Sequence, residues 1–204
     1  MKIIVFGASG KTGTQFVQLA LKEGHFVTAF VRNPEKLTVQ GERLRIIKGD
    51  ALDKETAENA AAGHDAAVSC LGANGLGKTT DLSHMAENIT AALLKHNVKR
   101  IAYVASAGIY NEIPGARGKM AMFILRNVLE DHKRAADILS NSGLDWTIAR
   151  PMRLDDGPMT KKYRKALEGV PEGGQRITRS DTAHFLLNAL LDNEYINCSV
   201  GLAY

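Results

Sequence analysis

The chain has 204 residues, 45% of them hydrophobic, and at that length one domain buries about 70% of its extended surface with no need of disulfides or metal. Its two cysteines, Cys70 and Cys198, and its six histidines show no zinc or redox spacing, no run approaches 18 apolar residues, and the first residues lack the succession of an export signal. A cytoplasmic protein with reduced thiols is expected, and the net charge of +4 with a pI near 9.1 suits a phosphorylated cofactor or an anionic substrate as well as it suits nucleic acid.

Residues 3–6, Ile-Ile-Val-Phe, read as a strand buried on both faces, and Gly7, Gly10 and Gly13 follow as the chain turns into a helix over 12–23, stopped by Gly24. Strand, glycine turn and helix make a phosphate cradle: Gly7 allows the tight turn, Gly10 leaves room for a pyrophosphate, and Gly13 lets the helix lie close to the sheet. The spacing is G-x-x-G-x-x-G, one residue longer in its first interval than the usual dinucleotide fingerprint, and Ser9, Lys11 and Thr12 complete the expected cradle. Strands over 25–31, 44–48, 65–71 and 100–105 alternate with helices over 53–61 and 81–96. That alternation predicts an α/β fold, a doubly wound, Rossmann-like parallel sheet with helices on both faces.

The second half is less regular. Residues 110–118 read as a loop, 120–140 as mostly helix with a break near Glu130, and 146–150 as a strand. From Pro151 to Gly174, prolines and glycines interrupt a short basic helix, so 151–176 reads as a small substrate flap within the single domain. The basic run there, Lys161, Lys162, Arg164 and Lys165, has Tyr163 as its one aromatic and no recognition-helix pattern, which points to a solvated face or an anionic-substrate rim and away from nucleic acid. Ser180 or Asp181 caps a helix to Leu191, and 196–201 forms a last edge strand.

The end of the second strand selects the cofactor. An NAD site places a carboxylate about 20 residues after the glycine turn, whereas this chain has Arg32, nineteen positions beyond Gly13, with Asn33 and Lys36 near. A guanidinium holds a 2′-phosphate through fork-shaped, charged hydrogen bonds that an acid would repel, so NADPH is the expected cofactor. Asp50 and Ala51, after the third strand, face the adenine side, with a helix or turn cap as the alternative for Asp50. Cys70, Leu71 and Gly72 end the fourth strand and line the passage to the nicotinamide ribose, and Ala105 and Pro151 flank the ring. Residues 72–79, GANGLGKT, also match the ATP phosphate loop, but they follow the fourth strand and the fifth ends without a magnesium-binding Asp. A mobile flap beside the cofactor, with Lys78 near its phosphates, is the expectation. Ser106 directly follows the fifth strand, where open sheets bind ligands. No Tyr-x-x-x-Lys occurs, so the tyrosine acid of ordinary alcohol and ketone reduction is missing.

Taken together, GASGKTG, VRNPEKL, KGDALD, SCLGANG, VASAG, DHKRAADILSNSGLDWTIARP and DDGPMT make the chain resemble, over essentially its whole length, the atypical short-chain dehydrogenase/reductase group. That group contains the NADPH-dependent biliverdin-IXβ and flavin reductases and NmrA-like relatives. The resemblance implies a single-domain NADPH reductase of flavins or related flat acceptors, with Ser106 as the active-site serine and Arg32 as the phosphate clamp. Arg153 stands where the mammalian reductase carries histidine; it stays protonated and suits an electrostatic hold on a phosphate or carboxylate, with an ion pair to Asp155 or Asp156 as the alternative. The expected partners are a small-molecule acceptor and, at most, a second copy in a weak homodimer. A non-catalytic NADP(H) sensor is the competing reading, motivated by the absent tyrosine and lysine.

Overall fold

The computed structural model describes residues 1–204. Its main sheet has eight strands: β1 (Lys2–Phe6), β2 (Phe26–Val31), β3 (Leu44–Lys48), β4 (Ala66–Ser69), β5 (Arg100–Val104), β6 (Asp145–Pro151), β8 (Arg164–Ala166) and β10 (Cys198–Ala203). Their spatial order is β3-β2-β1-β4-β5-β6-β10-β8, parallel throughout except where β8 runs antiparallel to β10. A separate parallel pair joins β7 (Arg153–Asp155) to β9 (Arg176–Thr178).

Alternate residues of each buried strand feed opposite faces. Ile3, Val5, Val68 and Ala102 pack with helix α1 (Lys11–Lys22) and helix α6 (Arg179–Leu191). Ile4, Phe6, Ala67, Ile101 and Tyr103 pack with α2 (Lys54–Ala61), α3 (Asp81–Lys95) and α5 (Arg126–Ser140). Both faces are covered, which explains why β1, β4 and β5 read as continuous apolar runs with no polar alternation. Asp53 caps α2 by accepting from the Glu55 and Thr56 amides, and Thr178 caps α6 through Asp181 N–H. The α3 start is capped from outside: the fully buried Asp131 accepts from Leu82 N–H, Ser83 N–H and the Ser83 hydroxyl. One residue of α5 therefore fixes where α3 begins.

Five expectations need correction. Thr178 caps α6, and Ser180 and Asp181 lie inside the helix. A helix, α4 (Gly115–Ile124), starts inside the segment read as loop, because Gly118 packs against Ile113 so closely that a Cβ would lie 2.6 Å from its side chain. The helical run breaks at Leu125, between α4 and α5, and not near Glu130. No basic helix forms in 151–174; the segment is extended, and its residues 164–166 pair with β10. The last strand consequently lies inside the sheet, between β6 and β8, and the edge belongs to β8. Short strands of three residues carry too few side chains to display a period of two, so composition alone did not reveal them.

Candidate functional site

Strand order reverses between β1 and β4, and ligands of open α/β sheets bind outside the carboxyl ends of strands at such a point. A cleft of about 250 Å³ opens there. It brings together nine of the residues expected from sequence: Gly7, Ser9 and Gly10 at the first turn, Arg32 after β2, Asp50 and Ala51 after β3, and Cys70, Leu71 and Gly72 after β4. Asn33 and Lys36 stand beside Arg32, and Met85 of α3 closes the wall behind Leu52 and Ala51. Met85 and Asp81 were not singled out from sequence, because they reach the cleft only when α3 folds back against the sheet, whereas Asn74 belongs to the loop over 72–79 expected beside the cofactor.

The turn itself is built by close approach. Gly7 has φ +75°, and a Cβ on it would lie 2.9 Å from the Cys70 backbone. A Cβ on Gly13 would sit 2.2 Å from the Gly7 carbonyl oxygen, so α1 lies directly against the end of β1. Gly10 is the N-cap and offers no side-chain cap, and no acid occupies the first turn of α1. First-turn amides left without a side-chain partner, glycines that clear their surroundings, and a cationic rim at Arg32 and Lys36 are the donor set a dinucleotide pyrophosphate and its 2′-phosphate require. The residues present therefore fit the cofactor.

The other expected residues, Lys11, Thr12, Gly13, Ala105, Ser106, Pro151 and Arg153, do not line this cleft. Thr12 and Gly13 are buried in the first turn of α1, and the Lys11 ammonium is turned outward to Asp156 at 2.8 Å, an acid that also accepts from Arg179 at 2.7 Å. Ala105 is buried and donates its N–H to Ala149; the Pro151 carbonyl accepts from Ala107 N–H. These bonds hold the ends of β5 and β6 side by side, with Ser106 between them, half-buried and donating its hydroxyl to the Ala107 carbonyl at 3.0 Å. Arg153 projects into solvent, its side chain 73% exposed, and pairs with Asp155 at 3.2 Å. Asp50 accepts from Leu52 N–H, so it shapes its own turn while lining the cleft. Burial pushes the Cys70 thiol up to about 12, which leaves no thiolate for chemistry at neutral pH.

A second set of residues escaped the sequence reading. Arg150, 2% exposed, forms an ion pair with Glu112, donates to Ser199 Oγ at 2.9 Å and to the Gly169 carbonyl at 3.0 Å, and lies over the Tyr110 ring. It ties the segment after β5 to β6, β10 and the turn after β8. An Arg directly after the apolar Ile148 and Ala149 in a central strand was the available signal, since a buried guanidinium demands partners from several elements.

His132 of α5 is 7% exposed and its Nδ1 has no partner. Burial depresses the imidazole from 6.5 to about 4, with Asp131 opposing. The sign follows from proton uptake: below pH 6.5 the unfolded chain binds this proton while the folded chain does not until near pH 4. Stability therefore falls as pH drops through that window, by about 3 kcal/mol in all and about 2 kcal/mol by pH 5. Urea unfolding at pH 7.5 and 5.0 should show that loss in the wild type and about 2 kcal/mol less of it in His132→Leu. An equal loss in both would assign the acid sensitivity elsewhere.

Comparison with known proteins agrees with this geometry. A family model described as NAD(P)H-binding matches residues 7–193. An uncharacterised protein of Bacillus subtilis is 29% identical over 214 residues, covering 97% of this chain and 95% of its own length. A Rossmann-fold NAD(P)-binding family protein from Shigella flexneri superposes with a TM-score of 0.79 at 26% identity, covering 98% of this chain and 92% of that one. A short-chain dehydrogenase/reductase from Veillonella parvula, solved in complex with NADP, has the same fold, with a TM-score of 0.84 at 20% identity over 100% of this chain and 94% of that one. No helix is long and apolar enough to cross a membrane, and no group of three or more His, Cys, Asp or Glu is arranged to hold a metal ion.

Proposed function

The chain belongs to the NAD(P)H-binding family, and from that premise we propose that it is an NADPH-dependent reductase delivering hydride to a flat conjugated acceptor of the flavin or quinone type. The observation that carries this reading is the lack of any tyrosine on α4 or α5, the helices that follow Ser106, so that neither helix offers a phenol to pass a proton to an alkoxide; Tyr110, before α4, lies under the Arg150 guanidinium. An acceptor that takes its proton from water does not need one. The reduced nicotinamide, when bound, supplies the hydride. Gly7, Ser9 and Gly10 hold the pyrophosphate, Arg32 and Lys36 the 2′-phosphate, and Cys70 to Gly72 the wall beside the ribose. Ser106 gives up its bond to Ala107 and donates to a carbonyl or ring nitrogen of the acceptor. Arg153, on the flap over 151–176, leaves Asp155 to hold an anionic group at the acceptor's far edge. Met120, Phe123 and Ile124 of α4, all exposed, add apolar surface beside the segment that follows Ser106. The work of the protein is positioning and exclusion of water.

The test is loss of NADPH absorbance in the presence of excess FMN, with quinones and biliverdin as further acceptors. Turnover is expected, and Ser106→Ala should lower kcat only about two- to tenfold, the worth of one hydrogen bond, with NADPH affinity unchanged. A loss above about a thousandfold would replace positioning by a required proton relay. Tight NADPH binding with no turnover of any acceptor would overturn the enzyme reading in favour of a cofactor sensor.

A further inference from the structure

The loop that resembles an ATP phosphate loop does not wrap around one centre. Gly72 and Asn74 line the cofactor cleft, whereas Lys78, Thr79 and Thr80, at its other end, line a second cavity of about 310 Å³ against Asn127, Glu130 and Arg134 of α5. No apolar side chain lines this second cavity. Two bonds tie its loop to α5: Asn127 donates to the Leu76 carbonyl at 3.2 Å, and Arg134 donates to the Thr79 carbonyl at 2.8 Å. Arg134 also bonds Glu130 at 2.9 Å, and its Nε is buried without a partner.

Lys78 is exposed and enters none of the chain's ion pairs. The amides of Leu82 and Ser83 that would otherwise face an anion at the start of α3 are taken by Asp131 from the core side. Recognition here thus rests on side chains: two cations, two hydroxyls and an amide against Glu130, which pairs with Arg134; the buried Asp131, 3.4 Å from the same guanidinium, balances Arg134 from the core side and leaves Lys78 as the charge free for a ligand. A net positive, wholly polar cavity of this size, with one uncommitted ammonium, suits a compact anion with several acceptor oxygens.

We propose that this cavity binds a phosphate group, with Lys78 as its principal charge contact and Arg134 as the residue that positions the loop for it. The inference does not depend on the reductase reading. The phosphate can come from free inorganic phosphate or from the end of a phosphorylated small molecule such as FMN.

The experiment is calorimetric titration of inorganic phosphate, at fixed ionic strength, into protein saturated with NADP⁺ so that the cofactor cleft is filled. Millimolar binding is expected. Lys78→Met should weaken it about three- to tenfold, and Glu130→Gln, which removes the opposing carboxylate, should tighten it about two- to fivefold. Both positions are exposed on the surface, so both variants are expected to fold, which circular dichroism checks. Absence of binding, loss of binding on NADP⁺ saturation, or equal affinity in all three proteins would overturn the proposal. A second arm distinguishes the sources. A Lys78→Met penalty on FMN but not on riboflavin assigns the cavity to a phosphorylated ligand, and a penalty on inorganic phosphate alone assigns it to the free ion.

Discussion

Gly13→Ala is expected to cost about 3 kcal/mol or more of stability and to abolish measurable NADPH binding in whatever protein remains folded. The added methyl would lie 2.2 Å from the Gly7 carbonyl oxygen and 2.9 Å from the Ala8 Cα. Every obstructing atom is backbone, so no rotamer change relieves the overlap; α1 must lift from the end of β1, and the core made by Phe16, Val17 and Ala20 lifts with it. The first-turn amides would then no longer converge on the pyrophosphate. Urea unfolding and NADPH fluorescence titration measure the two losses. Gly72→Ala is the control, since a Cβ there meets nothing within 4 Å; its stability should stay within about 0.5 kcal/mol of wild type. A Gly13→Ala protein as stable as Gly72→Ala would show that α1 does not depend on this contact.

Arg32→Glu should raise the dissociation constant for NADPH about ten- to a hundredfold and leave that for NADH nearly unchanged. Arg32 is exposed at the cleft rim beside Asn33 and Lys36, and no ion pair has to break before it meets a ligand. One charge-assisted contact to a 2′-phosphate is worth roughly 1.5 to 3 kcal/mol, and glutamate adds repulsion where that contact is lost. NADH has no 2′-phosphate and feels neither effect. Calorimetry with both cofactors on both proteins checks the difference. Equal weakening would mean that the substitution disturbs the cleft as a whole and that Arg32 does not distinguish the two cofactors.

Local patterns carried most of the first half of the molecule. Buried strands such as Ile3 to Phe6, the spaced apolar residues of α1, the helix start at Asp53 and the three glycines act over a few neighbouring residues. Their physical demands, a period, a cap, a left-handed turn, are therefore written in consecutive letters. The same locality made nine cleft residues legible, because strand ends on one side of a parallel sheet converge once the alternation is recognised.

Contacts between distant segments were decided only by the tertiary structure. Lys11 meets Asp156 across 145 positions and Arg150 meets Glu112 across 38, and nothing in either neighbourhood announces the partner. Asp131 stands in a charged stretch, DHKR, yet it is fully buried because α3 presents its bare amides to it. The three-residue strands exist because a remote segment offers each a backbone partner, β10 for β8, and β7 and β9 for one another; alone, such segments bury too little to be strands. Sequence by itself determined a nucleotide-binding sheet and the strand ends that line its cleft. Tertiary packing decided how the segments after β5 and β6 are tied to the rest of the chain, since ion pairs and backbone pairing between remote segments take their energy from proximity that only the closed fold supplies.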